Sequence, residues 1–257
     1  MMGQRRASES TDTPQITVTT STIERWRGST ALPGLLLTLT AITGLVDAVS
    51  YLKLGNVFVA NMTGNVVFLG FGLTQKTSIS ATASLVAIAT FLLGALGGGR
   101  VARHHGAHRG RHQAIAATIG LAGFLVALLI CLRWGYEAPG PRYLLIATLA
   151  AALGVQNATA RALAVPDLTT TVLTLTLTGL AADSRIGAAK PSRPWRRLAS
   201  VLAMLAGALV GALLVLNVSV AAALGFACLL QAAVATTGTV LSAGSAPAQW
   251  APAAPGT

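Results

Sequence analysis

Side chains that could do chemistry are concentrated in two short stretches of an otherwise apolar chain. The first stretch, residues 57–73, follows Asp47, an acid inside the preceding apolar run. An ionisable group among apolar residues is costly to desolvate, so Asp47 is a candidate for binding a cation or a proton. The polar residues of the stretch itself are Asn61, Thr63, Gly64 and Asn65. Their amides and hydroxyl could replace the hydration shell of a small solute or ion.

The second stretch, residues 168–182, is rich in threonine. Its candidate solute-binding residues, with those that precede it, are Asn157, Arg161, Asp167, Thr171 and Thr174. Arg161 is the candidate partner of Asp47. A structural role is the alternative for every one of these groups: Asp47 would fix the packing of the short segment, asparagines would cap a broken helix, and threonines would bond to their own helix.

The composition places both stretches in a membrane protein. The 257 residues are 53% hydrophobic and 10% charged, with a mean hydropathy of +0.67, whereas soluble domains carry about 25% charged residues. The net charge of +11 would suit a nucleic-acid partner, but the basic residues lie between long apolar runs and form no recognisable binding module. The predicted fold class is an all-α, polytopic transmembrane helical bundle in a lipid bilayer, without nucleic acid.

Eight apolar segments form one transmembrane domain, residues 31–241, between a predicted disordered tail at 1–30 and a flexible tail at 242–257. The segments cover about 32–52, 57–73, 81–99, 114–132, 143–163, 168–182, 198–217 and 219–241. A helix needs roughly 20 apolar residues to cross the hydrocarbon core, and six segments meet that length. The two short polar segments either cross as protein-enclosed helices or re-enter on the side they came from.

The distribution of basic residues favours re-entry. If both short segments return, 14 of the 18 basic residues share one face, which the positive-inside rule makes cytoplasmic together with the N-terminus. The four basic residues left on the other face are Lys53, Lys76, Arg133 and Arg142. The prediction is six spans plus two short re-entrant segments.

The chain also repeats itself weakly, over residues 32–132 and 143–241. The matching pieces are 94–98 with 207–211, 44–48 with 154–158, and 62–65 with 173–176, at offsets of 113, 110 and 111 residues. The first pair, GALGG and GALVG, has the small residues typical of helix crossings in membranes. Because each half would hold three crossings, the second half would be inverted relative to the first, as in many transporters.

The sequences GLVDAVS at 44–50 and NVFVANMTGNVV at 56–67 resemble the signature of the YoaK-type family of bacterial inner-membrane proteins of unknown function. A second signature, GVQNA at 154–158 followed by VPDL and TTVLT up to Thr174, is similar to that family too. Two residues depart from the pattern: Thr169 lies where the family tends to carry a basic residue, and Leu175 lies where it tends to carry glycine. The resemblance implies a multi-pass protein of the bacterial inner membrane, and it implies no substrate.

Catalytic and metal-binding motifs are missing from the sequence. There is no P-loop, no G-x-S-x-G, no H-E-x-x-H, and the seven acids are scattered. Four histidines, His104, His105, His108 and His112, fall in a predicted basic loop with no spacing suited to a tetrahedral site. We therefore expect no enzyme, no cofactor and no metal site.

The leading functional hypothesis is a channel or secondary transporter for a small solute or ion. The alternative is a non-catalytic membrane scaffold or regulator that binds lipid or a partner through its basic cytoplasmic loops. The sequence leaves the substrate, the energy source and the oligomeric state open.

Overall fold

The computed structural model describes residues 20–105, 109–163, 173–183 and 194–243, and all of its regular structure is helical. The helices are α1 (Thr20–Lys53), α2 (Met62–Leu73), α3 (Ala81–His105), α4 (Arg109–Trp134), α5 (Pro139–Leu163), α6 (Leu173–Ala182), α7 (Pro194–Asn217) and α8 (Val220–Ala243). The all-α prediction is confirmed for this part of the chain. Helix α1 begins at Thr20, inside the segment predicted to be a tail. Helix α8 includes the first two residues of the predicted C-terminal tail, and residues 244–257 lie outside the described residues.

Six of the helices are long and apolar enough to cross a membrane: α1 from Leu32 onwards, α3, α4, α5, α7 and α8. They correspond to the six long segments predicted from the sequence. Helices α2 and α6 have 12 and 10 residues. At a rise of ~1.5 Å per residue they span only about half of a hydrocarbon core of ~30 Å.

Glycine residues set the crossing of α1 with α7. The backbone of Gly207 lies directly on that of Ala41, and Gly211 lies on Leu45. From the α1 side, Gly44 lies against the backbone of α7. A β-carbon at any of these three glycines would collide with the facing helix, so close backbone approach requires the small residue. Because residue numbers rise in the same direction along both helices, α1 and α7 are parallel.

A second crossing of the same kind joins α3 and α5. Here Gly94 lies on the backbone of Ala151, and Gly98 lies on that of Val155. Gly154 of α5 in turn lies against the backbone of α3. Helices α3 and α5 are therefore also parallel, and they too are locked by glycines on both sides.

Helices α4 and α8 pack in opposite directions. Gln231 of α8 contacts Gly120 and Ala117 of α4, whereas Gly238, two turns further along α8, faces Ala114. The residue numbers therefore rise on one helix as they fall on the other. Together with the two parallel pairs and the short connections between helices, this antiparallel pair determines the direction of every other span.

The helix directions show that neither short segment carries the chain across the bundle. Short connections reverse the chain between α4 and α5 and between α7 and α8. Since α8 is antiparallel to α4, α7 must be antiparallel to α5, so the chain enters α7 on the side where α5 ended. Helix α1 is parallel to α7, and α3 is parallel to α5, so α1 and α3 are antiparallel to each other as well. Both short segments return to their side of origin, as the basic residues predicted.

This arrangement separates the basic residues between two faces. One face collects the described residues Arg100, Arg103, Arg109, Arg111, Arg161, Arg196 and Arg197. The opposite face holds Lys53, Lys76, Arg133 and Arg142. The division matches the one expected from the positive-inside rule.

The spans differ in how much of their surface the bundle covers. Helices α1 and α5 are the most buried, whereas α3 and α7 are peripheral and expose leucines. Examples are Leu93 on α3 and Leu205 on α7, which are 66% and 62% exposed. Such rows of exposed leucines suit contact with acyl chains.

One residue of the predicted basic loop lies elsewhere than expected. Helix α4 begins at Arg109, so His112 is not in an exposed loop but inside a helix, and it is only 2% exposed. The apolar run that begins at residue 114 gave no sign that the helix starts five residues earlier. His104 and His105 end α3 on the surface, and His108 lies outside the described residues.

The glycine crossings predict opposite effects of two neighbouring substitutions. Gly94→Ala places a β-carbon against Ala151 and should destabilise the bundle by about 1–3 kcal/mol through overpacking. Gly97→Ala, on the same helix with open space around it, should be neutral or stabilising by up to ~1 kcal/mol. Thermal unfolding of both variants in detergent measures the difference, and equal midpoints would speak against a close crossing.

The helix directions predict the accessibility of introduced cysteines. In a background without Cys131 and Cys228, Lys76→Cys and Arg133→Cys should react with a membrane-impermeant maleimide from one side. Arg103→Cys should react from the opposite side only. Lys53→Cys should react from the same side as Lys76→Cys, because the two positions flank α2. Labelling of positions 53 and 76 from opposite sides of the membrane would refute the return of α2.

Candidate functional site

The Asp47 side chain holds the loop that joins α1 to α2. Asp47 is 5% exposed, and its Oδ1 accepts hydrogen bonds from the backbone N–H groups of Val59 and Ala60, both at 2.9 Å. The loop leaves helical geometry at Gly55 and Asn56, which have positive φ angles of 100° and 55°. Backbone amides that leave a helix inside a bundle need a protein partner. The carboxylate supplies that partner twice.

Asn65 holds the same loop from the other side. It is fully buried, its Oδ1 accepts from the Phe58 N–H at 2.9 Å, and its Nδ2 donates to the Phe58 carbonyl at 2.6 Å. Both backbone groups of one residue are therefore paired by one side chain. Asn61 caps the start of α2, where its Oδ1 accepts from the Gly64 N–H at 3.4 Å.

Aromatic rings pack over the anchored loop. Phe58 stacks on Tyr51 of α1 and on Phe68 of α2, with ring centroids 5.2 and 5.5 Å apart. Gly64 lies so close to the Phe58 ring that a β-carbon would approach its Cδ2 to 2.8 Å. Gly64 is thus required for packing, while Thr63 is exposed on α2. The structure brings Asp47, Asn61, Gly64 and Asn65 together as a clamp on residues 55–61, which we call the hinge loop.

The candidate residues of the second half lie apart from the hinge loop. Asn157 donates from Nδ2 to the Leu153 carbonyl in its own helix, at 2.9 Å. Thr174 is exposed on α6, which packs against α7, whereas α2 packs against α3. The two expected half-sites therefore belong to different helix pairs. Asp167 and Thr171 lie outside the described residues.

Arg161 does not pair with Asp47, contrary to the sequence-based expectation. Helices α1 and α5 run in opposite directions, and Gln156 of α5 contacts Leu39 and Thr43 of α1. In that register Arg161 lies near residue 36 of α1, about 16 Å along the helix from Asp47 at a rise of ~1.5 Å per residue. Arg161 is exposed at the end of α5.

Sequence reasoning missed a second polar group, made of three glutamines from three helices. Gln113 of α4, Gln156 of α5 and Gln231 of α8 are 1%, 4% and 1% exposed. The Oε1 of each is buried and has no hydrogen-bond partner. All three line one narrow gap between α1, α4, α5 and α8, together with Thr159 and Leu39. We call this group the glutamine cluster.

The sequence contained a weak signal for the glutamine cluster. Gln231 is a single amide inside an apolar run, and Gln156 in another apolar run directly precedes the candidate Asn157. An amide in a span is costly unless it faces protein, so each glutamine predicts an inward-facing position. Their convergence depends on how α4 and α8 cross, which no spacing along the chain reveals.

The clamp on the hinge loop predicts graded effects at Asp47. Asp47→Ala leaves two buried N–H groups unpaired and should destabilise the protein by about 2 kcal/mol or more, at ~1–3 kcal/mol for each lost partner. Asp47→Asn keeps an acceptor oxygen and should lose much less stability than Asp47→Ala. Thr63→Ala, an exposed control on α2, should have no effect. Unfolding in detergent provides the measurement, and equal stability of the Ala and wild-type proteins would contradict the clamp.

Comparison with known proteins agrees with the resemblance found in the sequence. The family described as a protein of unknown function, DUF1275, matches residues 35–247. The UPF0700 transmembrane protein YoaK of Bacillus subtilis (strain 168) is 33% identical over 154 residues, which cover 58% of this chain and 64% of the relative. No solved structure matches the chain. With its six long apolar helices and a family match that extends over nearly all of the bundle, the chain belongs to the DUF1275 family, of the YoaK type, and is a multi-pass membrane protein.

Proposed function

We propose that this protein is a channel or secondary transporter for a small solute or ion. One observation carries the proposal: in a protein with six spans, both short helices return to the side they came from, α2 packed on α3 and α6 packed on α7. Short helices that do not cross the membrane contribute to the binding sites of many transporters, because their ends can present backbone groups to a solute.

In this proposal Asp47 and Asn65 position the hinge loop. Their side-chain atoms that bond to the loop backbone do not coordinate the solute. Their hydrogen bonds go to Val59, Ala60 and Phe58. Exposed polar groups remain on the same element, notably the Thr63 hydroxyl. A solute would meet α2 at those groups.

The packing of the helices supports the proposal that the two halves are inverted repeats. Gly44 of α1 packs on α7, and Gly154 of α5, its counterpart in the alignment, packs on α3. Likewise α2 packs on α3 and α6 on α7. Helices α1 and α5 run in opposite directions, as inversion requires. Motion of one half against the other would then give alternating access.

The proposed location is the inner membrane of a bacterium, with the N-terminus in the cytoplasm. The face that collects Arg100, Arg103, Arg109, Arg111 and Arg197 would be cytoplasmic by the positive-inside rule. The N-terminus of α1 begins on that face. In keeping with the sequence analysis, we propose no enzymatic activity.

A specific observation favours the alternative, a scaffold that binds anionic lipid or a partner through this basic face. At the start of α7, Trp195 is 60% exposed and Arg196 lies 5.4 Å from the centre of its ring. A tryptophan beside arginine is a typical anchor at the membrane–water interface. Binding to anionic vesicles without any flux would select this second function.

The transport proposal predicts flux that depends on the hinge loop. Proteoliposomes should take up radioactive sodium or rubidium, or swell after osmotic shock with a panel of neutral solutes, faster than protein-free vesicles. Asp47→Ala should reduce the rate of the permeating species, while Thr38→Ala, on the surface of α1, should not. No flux of any probe above protein-free vesicles would refute the proposal.

A further inference from the structure

We propose that the glutamine cluster is a binding site for a small alkali ion of the size of sodium. The amide oxygens of Gln113, Gln156 and Gln231 would coordinate it. This inference deepens the proposed function by naming a ligand class and a second location for it, and it can be tested without flux. The site is separate from the hinge loop that holds α2.

Neighbouring groups fix the direction of the amides. The Nε2 of Gln156 donates to the Leu39 carbonyl at 3.2 Å and to the Thr43 Oγ1 at 3.0 Å. The Thr43 hydroxyl itself donates to the Leu39 carbonyl, so both partners act as acceptors. Rotating the amide by 180° would place its oxygen against these two oxygens. The oxygen of Gln156 must therefore point the other way.

The same argument applies to Gln231. Its Nε2 donates to the Ala117 carbonyl of α4 at 3.1 Å, which leaves Oε1 buried and unpaired. A third oxygen, from Gln113, is also buried without a partner. Buried polar atoms in proteins nearly always have a partner. Three unpaired oxygens around one gap indicate a ligand that presents positive charge to all three of them.

The chemistry of the lining selects the class of that species. An anion is disfavoured, because the three unpaired amide oxygens would repel it. Water could donate to two oxygens at most, and the gap is too small to seat a water molecule. A bare sodium ion approaches oxygen more closely than water does and can satisfy all three, whereas potassium and ammonium are as large as water. No carboxylate lines the gap, which disfavours calcium and other divalent ions that rely on acidic ligands.

The surroundings are compatible with one positive charge. Thr159 lines the gap in the last turns of α5, the end of a helix that carries partial negative charge. Three basic residues precede Gln113 on α4: Arg111 is exposed, His112 is buried, and Arg109 lies one turn away. The Arg109 guanidinium donates to the Leu163 carbonyl at the end of α5. That charge is thus engaged at the edge of the bundle. The gap also lies where α1 and α5 of the two halves meet, the place where transporters bind their ions.

The first test compares salts on the purified wild-type protein in detergent at constant ionic strength. Sodium, potassium and ammonium chloride are each titrated against choline chloride, whose cation is too large for the gap. We expect sodium to raise the thermal midpoint in a saturable way relative to choline, and potassium and ammonium to raise it much less. A rise with potassium or ammonium alone would contradict a site of this size. Identical midpoints in all four salts overturn the proposal.

Variants then locate the effect. Gln231→Met keeps the volume but removes the oxygen, and should raise the half-saturating cation concentration about tenfold or more. Gln231→Glu adds a charge, and should lose stability in choline but regain it with the small cation at lower concentration. Ser84→Ala is the matched control, because Ser84 Oγ is another buried oxygen without a partner, on α3. If Ser84→Ala changes the cation response as much as Gln231→Met does, the site is not the glutamine cluster.

The result is independent of transport. Cation-dependent stability without flux in proteoliposomes supports the site and contradicts the transport proposal. Flux without any cation-dependent stability does the reverse.

Discussion

The structure depends on one constraint: a backbone that leaves helical geometry inside a membrane bundle must find partners for its N–H and C=O groups within the protein. The chain meets it at the hinge loop with two side chains. The Asp47 carboxylate accepts the N–H groups of Val59 and Ala60, and Asn65 pairs both backbone groups of Phe58. These bonds allow α1 to end, and α2 to return, without exposing unpaired amides to lipid.

The second requirement is close packing without a hydrophobic driving force between helices. Glycines meet it at the two parallel crossings, where Gly44 and Gly154 let backbones touch. Helices α1 and α5 thereby become the buried centre, and α3 and α7 become the lipid-facing periphery. The hinge loop and the glutamine cluster hold Asp47, Asn65 and the three buried glutamines, while Ser84, His112 and Ser200 are buried elsewhere in the described residues.

Much of the fold could be predicted from composition and segment length, because a membrane imposes one length on every span and a strong bias on loop charge. Asp47 and Asn65 could be selected because polar residues in apolar runs are costly, but the cost does not identify the partner. The sequence therefore suggested Arg161 as the partner of Asp47. In the structure the Asp47 carboxylate instead accepts hydrogen bonds from backbone N–H groups twelve and thirteen residues away. Gln231 and the burial of His112 escaped notice because they depend on where α4 begins and how it crosses α8.

Amide hydrogen exchange at Val59 and Ala60 tests the central claim most directly. In the folded wild-type protein in detergent or nanodiscs, both amides should exchange as slowly as those inside α2. In Asp47→Ala they should exchange much faster, while amides in the centre of α5 remain protected. Fast exchange at these two positions in the wild-type protein, or protection that survives the loss of the carboxylate, would contradict the account.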